Sequence, residues 1–169
     1  MKECFAEGLK REELFITTKL WGTDRENPEA ALKESLGKLK LDYVDLYLIH
    51  SPGIPYDEEK KEYKRIPLHE TWAKMEGLVK SGLAKSIGIS NFNVQLTMDL
   101  LSYASIKPAV NQIELHPYLA QKDVVDWLIK MGIRPEAYSP LAQPGFNPPW
   151  RKVSKTLIKD LTIEELAKK

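Results

Sequence analysis

The chain lacks the residues from which most metal and disulfide sites are built. Cys4 is its only cysteine, so there is no disulfide framework and no cysteine-rich metal site. Three histidines, His50, His69 and His116, lie far apart, and none occurs in an HxxxH or HExxH pattern. We therefore predict a protein without a bound metal.

An excess of charge of one sign is also missing, because 25 Lys and Arg face 24 Asp and Glu. Such a balance gives no electrostatic reason to bind nucleic acid or an anionic membrane. No stretch approaches the roughly 18 apolar residues of a membrane span. Residues 1–10 lack the apolar core of a signal peptide. We expect a cytoplasmic location with no nucleic-acid or membrane partner.

What the sequence does contain is an alternation of strand and helix patterns. With 43% hydrophobic and 29% charged residues, the chain is typical of a soluble domain, and we treat 1–169 as one. Apolar, β-branched runs predict strands over 14–21, 44–50, 85–90, 109–117 and 133–138. Helical spacing predicts helices over 28–39 (capped by Asn27), 68–80, 94–103, 121–130 and 157–169 (capped by Thr162). Five alternations of this kind predict right-handed βαβ units and a parallel sheet, with residues 54–67 as a surface excursion.

Polar residues follow every predicted strand. A doubly wound sheet would normally carry GxGxxG after a strand, and the chain contains neither that pattern nor a Walker loop. Polar groups at the ends of many strands are instead typical of a (β/α)8 TIM barrel, whose chemistry lies at the carboxyl ends. The residues concerned are Lys19, His50, Ser90, Asn91, Asn111, Gln112, Tyr138 and Ser139.

Several of these residues also have a structural interpretation, which is weaker for Asn111 and Gln112 because buried amides need partners. Lys19 and His50 could be ordinary strand-end residues. The Ser90-Asn91 pair could cap the next helix, and Tyr138 could be a core aromatic. Trp150 lies in a Pro/Gly-rich loop that could cover a cofactor or could bury its indole for stability.

Five motifs in order resemble the aldo-keto reductases. They are FITTKLW (15–21), DLYLIHSP (45–52), IGISNF (87–92), NQIELHP (111–117) and EAYSPL (136–141). The resemblance implies an oxidoreductase that reduces aldehydes or ketones to alcohols with NADPH. About five βα units of that family's (β/α)8 barrel are represented here.

The resemblance also implies roles for individual residues. Lys19 and His50 match the catalytic lysine and histidine, and Trp21 with His50 would line the substrate pocket. Other matched positions would hold NADPH: Ser90, Asn91 and Gln112 the carboxamide, Tyr138 the nicotinamide ring, and Ser139 and Leu141 the pyrophosphate. Side-chain amides suit a carboxamide because they both donate and accept hydrogen bonds.

The resemblance covers only part of the family's barrel. In the family, the strands before the position of Lys19 carry a catalytic aspartate and a catalytic tyrosine. These strands, like the family's last strand, have no counterpart in these 169 residues. Five parallel strands leave two unpaired edges. We therefore expect a fragment, or a half-barrel that closes with a second copy or with the missing barrel segments. Little turnover is expected of the isolated chain. Ser51 stands where many members of the family have an aromatic residue, which predicts a more open substrate pocket.

The fifth predicted strand has an unusual composition. By period-2 counting, Arg134 and Glu136 share a face with Tyr138. We predict that both point into the barrel and pair with each other or with neighbours. Pro135 predicts a local irregularity, since proline is unfavourable in a central strand.

Two other functions are compatible with the sequence. The chain could be a non-catalytic binding or regulatory module on the same scaffold, as the similar potassium-channel β subunits partly are. A different TIM-barrel enzyme is a third possibility, which the order of the motifs disfavours.

Overall fold

The structure, a computed structural model, describes residues 8–143 and 157–169. Within them the strands are β1 Thr17–Leu20, β2 Val44–Ile49, β3 Tyr56–Asp57, β4 Glu62–Tyr63, β5 Ala84–Ser90, β6 Val110–Glu114 and β7 Arg134–Tyr138. The α-helices are α1 Pro28–Leu39, α2 Leu68–Lys80, α3 Val94–Tyr103, α4 Lys122–Lys130 and α5 Leu161–Ala167. Short 3-10 helices form at Arg11–Glu13, Gly22–Asp24 and Leu157–Lys159.

The five long strands form one parallel sheet in the order β1-β2-β5-β6-β7. Within the described residues, β1 and β7 each pair on one side only, so the sheet is open. This is the predicted arrangement of consecutive βα units in part of a (β/α)8 barrel. Because all five strands run in one direction, their carboxyl ends meet at one edge of the sheet.

The centre of the core is β2. All six of its residues are buried, as expected for a strand covered on both faces. Gly88 in the adjacent β5 permits close packing there. A Cβ atom at this position would lie 2.6 Å from the Val110 carbonyl oxygen and 2.7 Å from Leu48 Cδ2. Trp72 is buried and donates its indole N–H to the Ile106 carbonyl oxygen at 3.1 Å, so it belongs to the core.

One helix cap was predicted correctly and one was wrong. Asn27 Oδ1 accepts the Ala30 N–H at 3.2 Å, with Pro28 as the first residue of α1. At α5, however, Asp160 and not Thr162 is the cap, since its Oδ1 accepts the Ile163 N–H at 3.1 Å. Leu161 already has helical geometry, so the cap precedes it and Thr162 lies within the first turn of the helix.

Two other predictions needed correction. The first strand starts at Thr17 rather than Leu14, and Phe15 is 71% exposed. In the excursion 54–67, β3 and β4 form an antiparallel hairpin that the sequence analysis missed. The Asp57 carboxylate closes its turn by accepting the N–H groups of Glu59 and Lys60, both at 3.1 Å. Cys4 and Trp150 lie outside the described residues.

In β7, the prediction for Glu136 is confirmed and that for Arg134 is wrong. Glu136 accepts a hydrogen bond from the Gln112 side chain. Arg134 is exposed and has no ion pair or hydrogen bond from its side chain in the described part of the chain, because it lies at the start of the strand. The Arg134 N–H bonds to the Ala109 carbonyl oxygen in β6 at 2.9 Å. By alternation, the imide nitrogen of Pro135 faces the open edge, where no donor is needed.

Charged residues are paired at the amino end of the sheet. We call Arg11, Tyr43, Asp45 and Lys85 the amino-end cluster. The Asp45 carboxylate accepts from Arg11 Nη2 at 2.7 Å and from the Ile16 N–H at 2.9 Å, and Lys85 Nζ is 3.5 Å away. The cations of Arg11 and Lys85 lie 4.0 and 4.2 Å from the centre of the Tyr43 ring.

Candidate active site

The carboxyl ends of the strands bring together most of the predicted site residues. Lys19 is the third residue of β1, and His50 directly follows β2. Ser90 ends β5 and lies opposite Gln112 of β6 in the sheet register. Tyr138 ends β7. We call His50, Ser90, Asn91, Gln112 and Tyr138 the carboxyl-end cluster.

His50 lines a cavity. Its ring makes an edge-to-face contact with Trp21, with ring centres 4.6 Å apart at an angle of 86°. A cavity of about 290 Å³ opens beside them. Its walls come from residues 21–23, from 50 and 51, and from 53–56. Trp21 remains 59% exposed although it lines this space, so its indole is available to a ligand.

Two effects make the His50 imidazole less basic. Partial burial lowers the pKa of His50, and the positive charge of Lys19 lowers it further. Lys19 is itself half-buried in β1 and lies near enough to act on the imidazole. At neutral pH His50 is therefore uncharged, with one ring nitrogen that donates and one that accepts.

Asn91 connects three strands of the sheet. Its Nδ2 donates to the His50 carbonyl oxygen at 2.9 Å and to Ser90 Oγ at 3.2 Å. Its Oδ1 accepts from the Tyr138 hydroxyl at 2.8 Å. Asn91 has φ +64°, a left-handed conformation that asparagine tolerates better than most residues. Asn93 caps α3 instead, so the capping interpretation of the Ser90-Asn91 pair is wrong.

Ser90 and Gln112 extend this hydrogen-bonded set. The buried Ser90 hydroxyl donates to the Gln112 carbonyl oxygen at 2.7 Å, and the same oxygen accepts the Asn91 N–H at 3.0 Å. The Gln112 side-chain amide donates to Glu136. Within residues 8–143 and 157–169, the side-chain oxygen of Gln112 accepts no hydrogen bond.

Tyr138 has a raised pKa, because burial disfavours the phenolate and the nearby Glu114 charge adds to the effect. The hydroxyl therefore stays protonated and donates to Asn91, which fixes the ring at the end of β7. The ring is only partly buried. It thus has an apolar face available at the carboxyl end of the sheet.

The set fits a carboxamide ligand in residue type. Gln112 Oε1 and the second lone pair of Asn91 Oδ1 are acceptors for an amide NH₂. The donors of Ser90 and Asn91 are already engaged with protein oxygens. A ligand carbonyl could accept from the second N–H of the Gln112 side-chain amide, or it would have to replace one of these internal bonds.

Ser139 and Leu141 directly follow β7, outside the hydrogen-bonded set. Ser139 has φ +49°, and its Oγ accepts from Gln143 Nε2 at 2.9 Å. Leu141 is exposed. Both lie at the same end of the sheet as Tyr138, without a described contact to it.

Two residues near the site have roles that the sequence does not specify. Glu136 was predicted to pair with Arg134 or with a neighbour, and its partner in the structure is Gln112. Arg25 is almost fully buried and bonds to the segment that lines the cavity. Its only sequence signal was a charged residue in a short turn before a long loop, which does not distinguish it from a surface arginine.

Among the described residues, no group of three or more His, Cys, Asp and Glu side chains is arranged to hold a metal ion. No helix in the same ranges combines the length and apolar character needed to cross a membrane.

Comparison with known proteins gives consistent matches. The model of the Aldo/keto reductase family matches residues 1–160. Aldo-keto reductase family 1 member A1 of Gallus gallus is 43% identical over 99% of this chain and 55% of its own length. The NAD(P)H-dependent D-xylose reductase of Candida tenuis is 43% identical over 86% of this chain and 51% of its own. Aldose reductase from Giardia lamblia superposes with a TM-score of 0.83 at 37% identity, over 96% of this chain and 56% of that one. The chain spans about half the length of these relatives.

Proposed function

The chain belongs to the aldo/keto reductase family, and from this premise we propose that it forms the part of an NADPH-dependent carbonyl reductase that holds the nicotinamide and orients the substrate. The supporting observation is the position of the His50–Trp21 cavity beside the carboxyl-end cluster. Asn91 joins the two directly through its bond to the His50 carbonyl oxygen.

His50 and Lys19 are proposed as the catalytic residues of this chain. A neutral His50 donates a ring N–H to the carbonyl oxygen of an aldehyde or ketone, which orients it and stabilises the negative charge that develops there. The Lys19 ammonium adds positive charge at the same place. Both effects favour reduction because they act most strongly when the oxygen is negative.

The carboxyl-end cluster is proposed to hold the nicotinamide. When bound, this group supplies the hydride for reduction. Asn91 and Gln112 accept from its carboxamide NH₂, and Ser90 contributes a hydroxyl. The Tyr138 ring packs against the nicotinamide, and Ser139 and Leu141 lie along the pyrophosphate. Relatives named as NAD(P)H-dependent support a nicotinamide cofactor, and the choice of NADPH is part of this proposal.

The proposed substrate is a small aldehyde or ketone. The cavity of about 290 Å³ is near the lower limit for small-molecule sites. Trp21, Ile54, Pro55 and Tyr56 give it mainly apolar walls, and its polar side chains are those of His50, Ser51 and Thr23. An aromatic or short aliphatic carbonyl compound matches this lining.

We further propose that the proton donor comes from outside this chain. Within the described residues no tyrosine hydroxyl is hydrogen-bonded to Lys19 or His50. The 169-residue chain alone should therefore bind NADPH but reduce 4-nitrobenzaldehyde very slowly. NADPH oxidation at 340 nm and equilibrium dialysis measure the two properties separately. Rapid turnover would contradict the assignment of the donor, and absence of NADPH binding would contradict the proposed function.

A non-catalytic module is the second candidate, and the open sheet favours it. Within the ranges that the structure describes, β1 and β7 each have an unpaired edge, which suits closure with a second copy or with other barrel segments. Size-exclusion chromatography with light scattering tests this. A stable dimer that binds no NADPH would support the second candidate over the first.

A further inference from the structure

Residues 52–66, which connect β2 to α2, form one wall of the cavity. Gly53, Ile54, Pro55 and Tyr56 of this segment face Trp21 and His50. A long connection that lines a site is typically held in place by specific contacts, since its backbone has few partners in the sheet. The position of this wall therefore depends on what attaches it to the rest of the protein.

The segment's internal contacts close it on itself. The Lys64 N–H donates to the Pro55 carbonyl oxygen at 2.9 Å, and Lys64 Nζ is 3.6 Å from Asp57. The rings of Tyr56 and Tyr63 meet edge-to-face, 5.1 Å apart. These contacts shape the hairpin but do not fix it to the barrel.

Arg25 attaches both ends of the segment to the barrel. Nη1 donates to the Gly53 carbonyl oxygen at 2.8 Å and to that of Pro52 at 3.3 Å. Nη2 donates to the Ile66 carbonyl oxygen at 3.0 Å. In the described part of the chain, every hydrogen bond joining 52–66 to residues beyond its immediate flanks comes from Arg25.

The environment of Arg25 is unusual for an arginine. Only 2% of the residue is exposed, and no carboxylate of the described residues pairs with it. A buried guanidinium without a counter-ion is unfavourable unless its donors are well used. Here the planar fork spans three backbone carbonyls, a geometry that the point charge of lysine does not reproduce.

We propose that Arg25 is a positioning residue for the substrate pocket: by joining Pro52, Gly53 and Ile66 it fixes the cavity wall formed by residues 53–56. This inference rests on the proposed function for the identity of the pocket's ligand. The attachment itself rests only on the contacts above. Arg25 does not touch the carboxyl-end cluster by any described hydrogen bond, so its effect should be confined to the carbonyl compound and should not extend to NADPH.

Hydrogen exchange measured by mass spectrometry tests the attachment. In Arg25→Met, amides of 53–66 should exchange about tenfold faster or more, whereas those of 44–49 stay unchanged. Arg25→Lys should lie between wild type and Arg25→Met. Lys74→Met is the matched control, because Lys74 Nζ also donates to a backbone carbonyl, that of Glu26 at 2.8 Å, outside the wall. The proposal is overturned if Arg25→Met folds and its amides of 53–66 exchange at the wild-type rate. If Arg25→Met does not fold, the same result in Arg25→Lys overturns it.

Binding of 4-nitrobenzaldehyde, followed by the quenching of Trp21 fluorescence, tests whether Arg25 affects the pocket. The Trp21→Phe variant shows which part of the emission comes from Trp21. The dissociation constant should rise about fivefold or more in Arg25→Met, with NADPH affinity within about twofold of wild type. Faster exchange with unchanged aldehyde affinity overturns the positioning role. If wild type binds neither NADPH nor the aldehyde, the proposed function fails, and the exchange rates alone decide whether Arg25 fixes the segment.

Discussion

The two ends of the parallel sheet carry polar residues of different kinds. In the amino-end cluster a buried carboxylate is surrounded by two cations, a backbone N–H and an aromatic ring. In the carboxyl-end cluster, side-chain amides, hydroxyls and the backbone carbonyl oxygen of His50 form a network that retains acceptors for a ligand. Charged groups that all have partners stabilise a fold. Neutral groups with unused hydrogen-bond acceptors can bind and release a ligand. We propose from this difference that the amino end stabilises the fold and that the carboxyl end holds the ligand.

Removing the negative charge of Asp45 from the amino-end cluster should have the largest effect on stability. Asp45→Asn leaves the guanidinium of Arg11 partly buried without its carboxylate, and we expect a loss of about 3 kcal/mol in the free energy of unfolding. Urea denaturation measures this. Lys38→Met, in an exposed Glu34–Lys38 pair, is the control and should change nothing measurable. A loss below about 1 kcal/mol for Asp45→Asn would show that this end is not a stability centre.

The stability difference between wild type and Asp45→Asn should depend on pH. Burial alone would raise the pKa of Asp45, but the Ile16 N–H, Arg11 and Lys85 outweigh it and lower the pKa. A lowered folded-state pKa means that the carboxylate stabilises the protein above the unfolded value of about 4 and that this contribution is lost as the pH falls below it. The difference between wild type and Asp45→Asn should therefore shrink on acidification below about pH 4. A constant difference down to pH 2 would contradict this assignment.

Two asparagines test whether the carboxyl end is specialised for the cofactor. Asn91→Ala removes three hydrogen bonds of the cluster and should weaken NADPH binding about tenfold. Asn93→Ala removes the cap of α3, at a cost of about 1 kcal/mol in stability, but should leave NADPH affinity unchanged. Equilibrium dialysis of both variants separates a binding role from a general loss of stability. Equal effects on NADPH affinity would contradict a specific role for Asn91.

The smallest predicted effect concerns the Lys19–His50 pair. In Lys19→Met the pKa of His50 should rise toward its ordinary value but stay below it, because burial, the larger cause, remains. NMR titration of the His50 ring proton measures the change, with Lys80→Met as a control on another element. An unchanged pKa of His50 in Lys19→Met would show that the Lys19 charge does not act on His50, and would contradict the proposed catalytic pairing.

The sequence predicts features that depend on local pattern and leaves out those that depend on distant contacts. The apolar run 44–49 and the Asn27-Pro28 cap determine β2 and the start of α1, because strand burial and capping act over a few residues. The roles of Arg25 and Glu136 depend on carbonyls and amides far away in the chain, and no spacing rule reveals them. The five motifs predicted which side chains lie at the carboxyl end of the sheet, but not that Asn91 would bond to the Tyr138 hydroxyl and to the His50 carbonyl oxygen.

The most direct test of the central claim is an NMR titration of the side-chain NH₂ signals of Asn91 and Gln112 with NADPH. We predict saturable shifts of both signals, while the backbone amide of Ile16, bonded to Asp45 at the amino end, stays in place. Shifts confined to Ile16 and its neighbours, or no saturable shift of either side-chain amide, would contradict the assignment of the carboxyl end as the nicotinamide site.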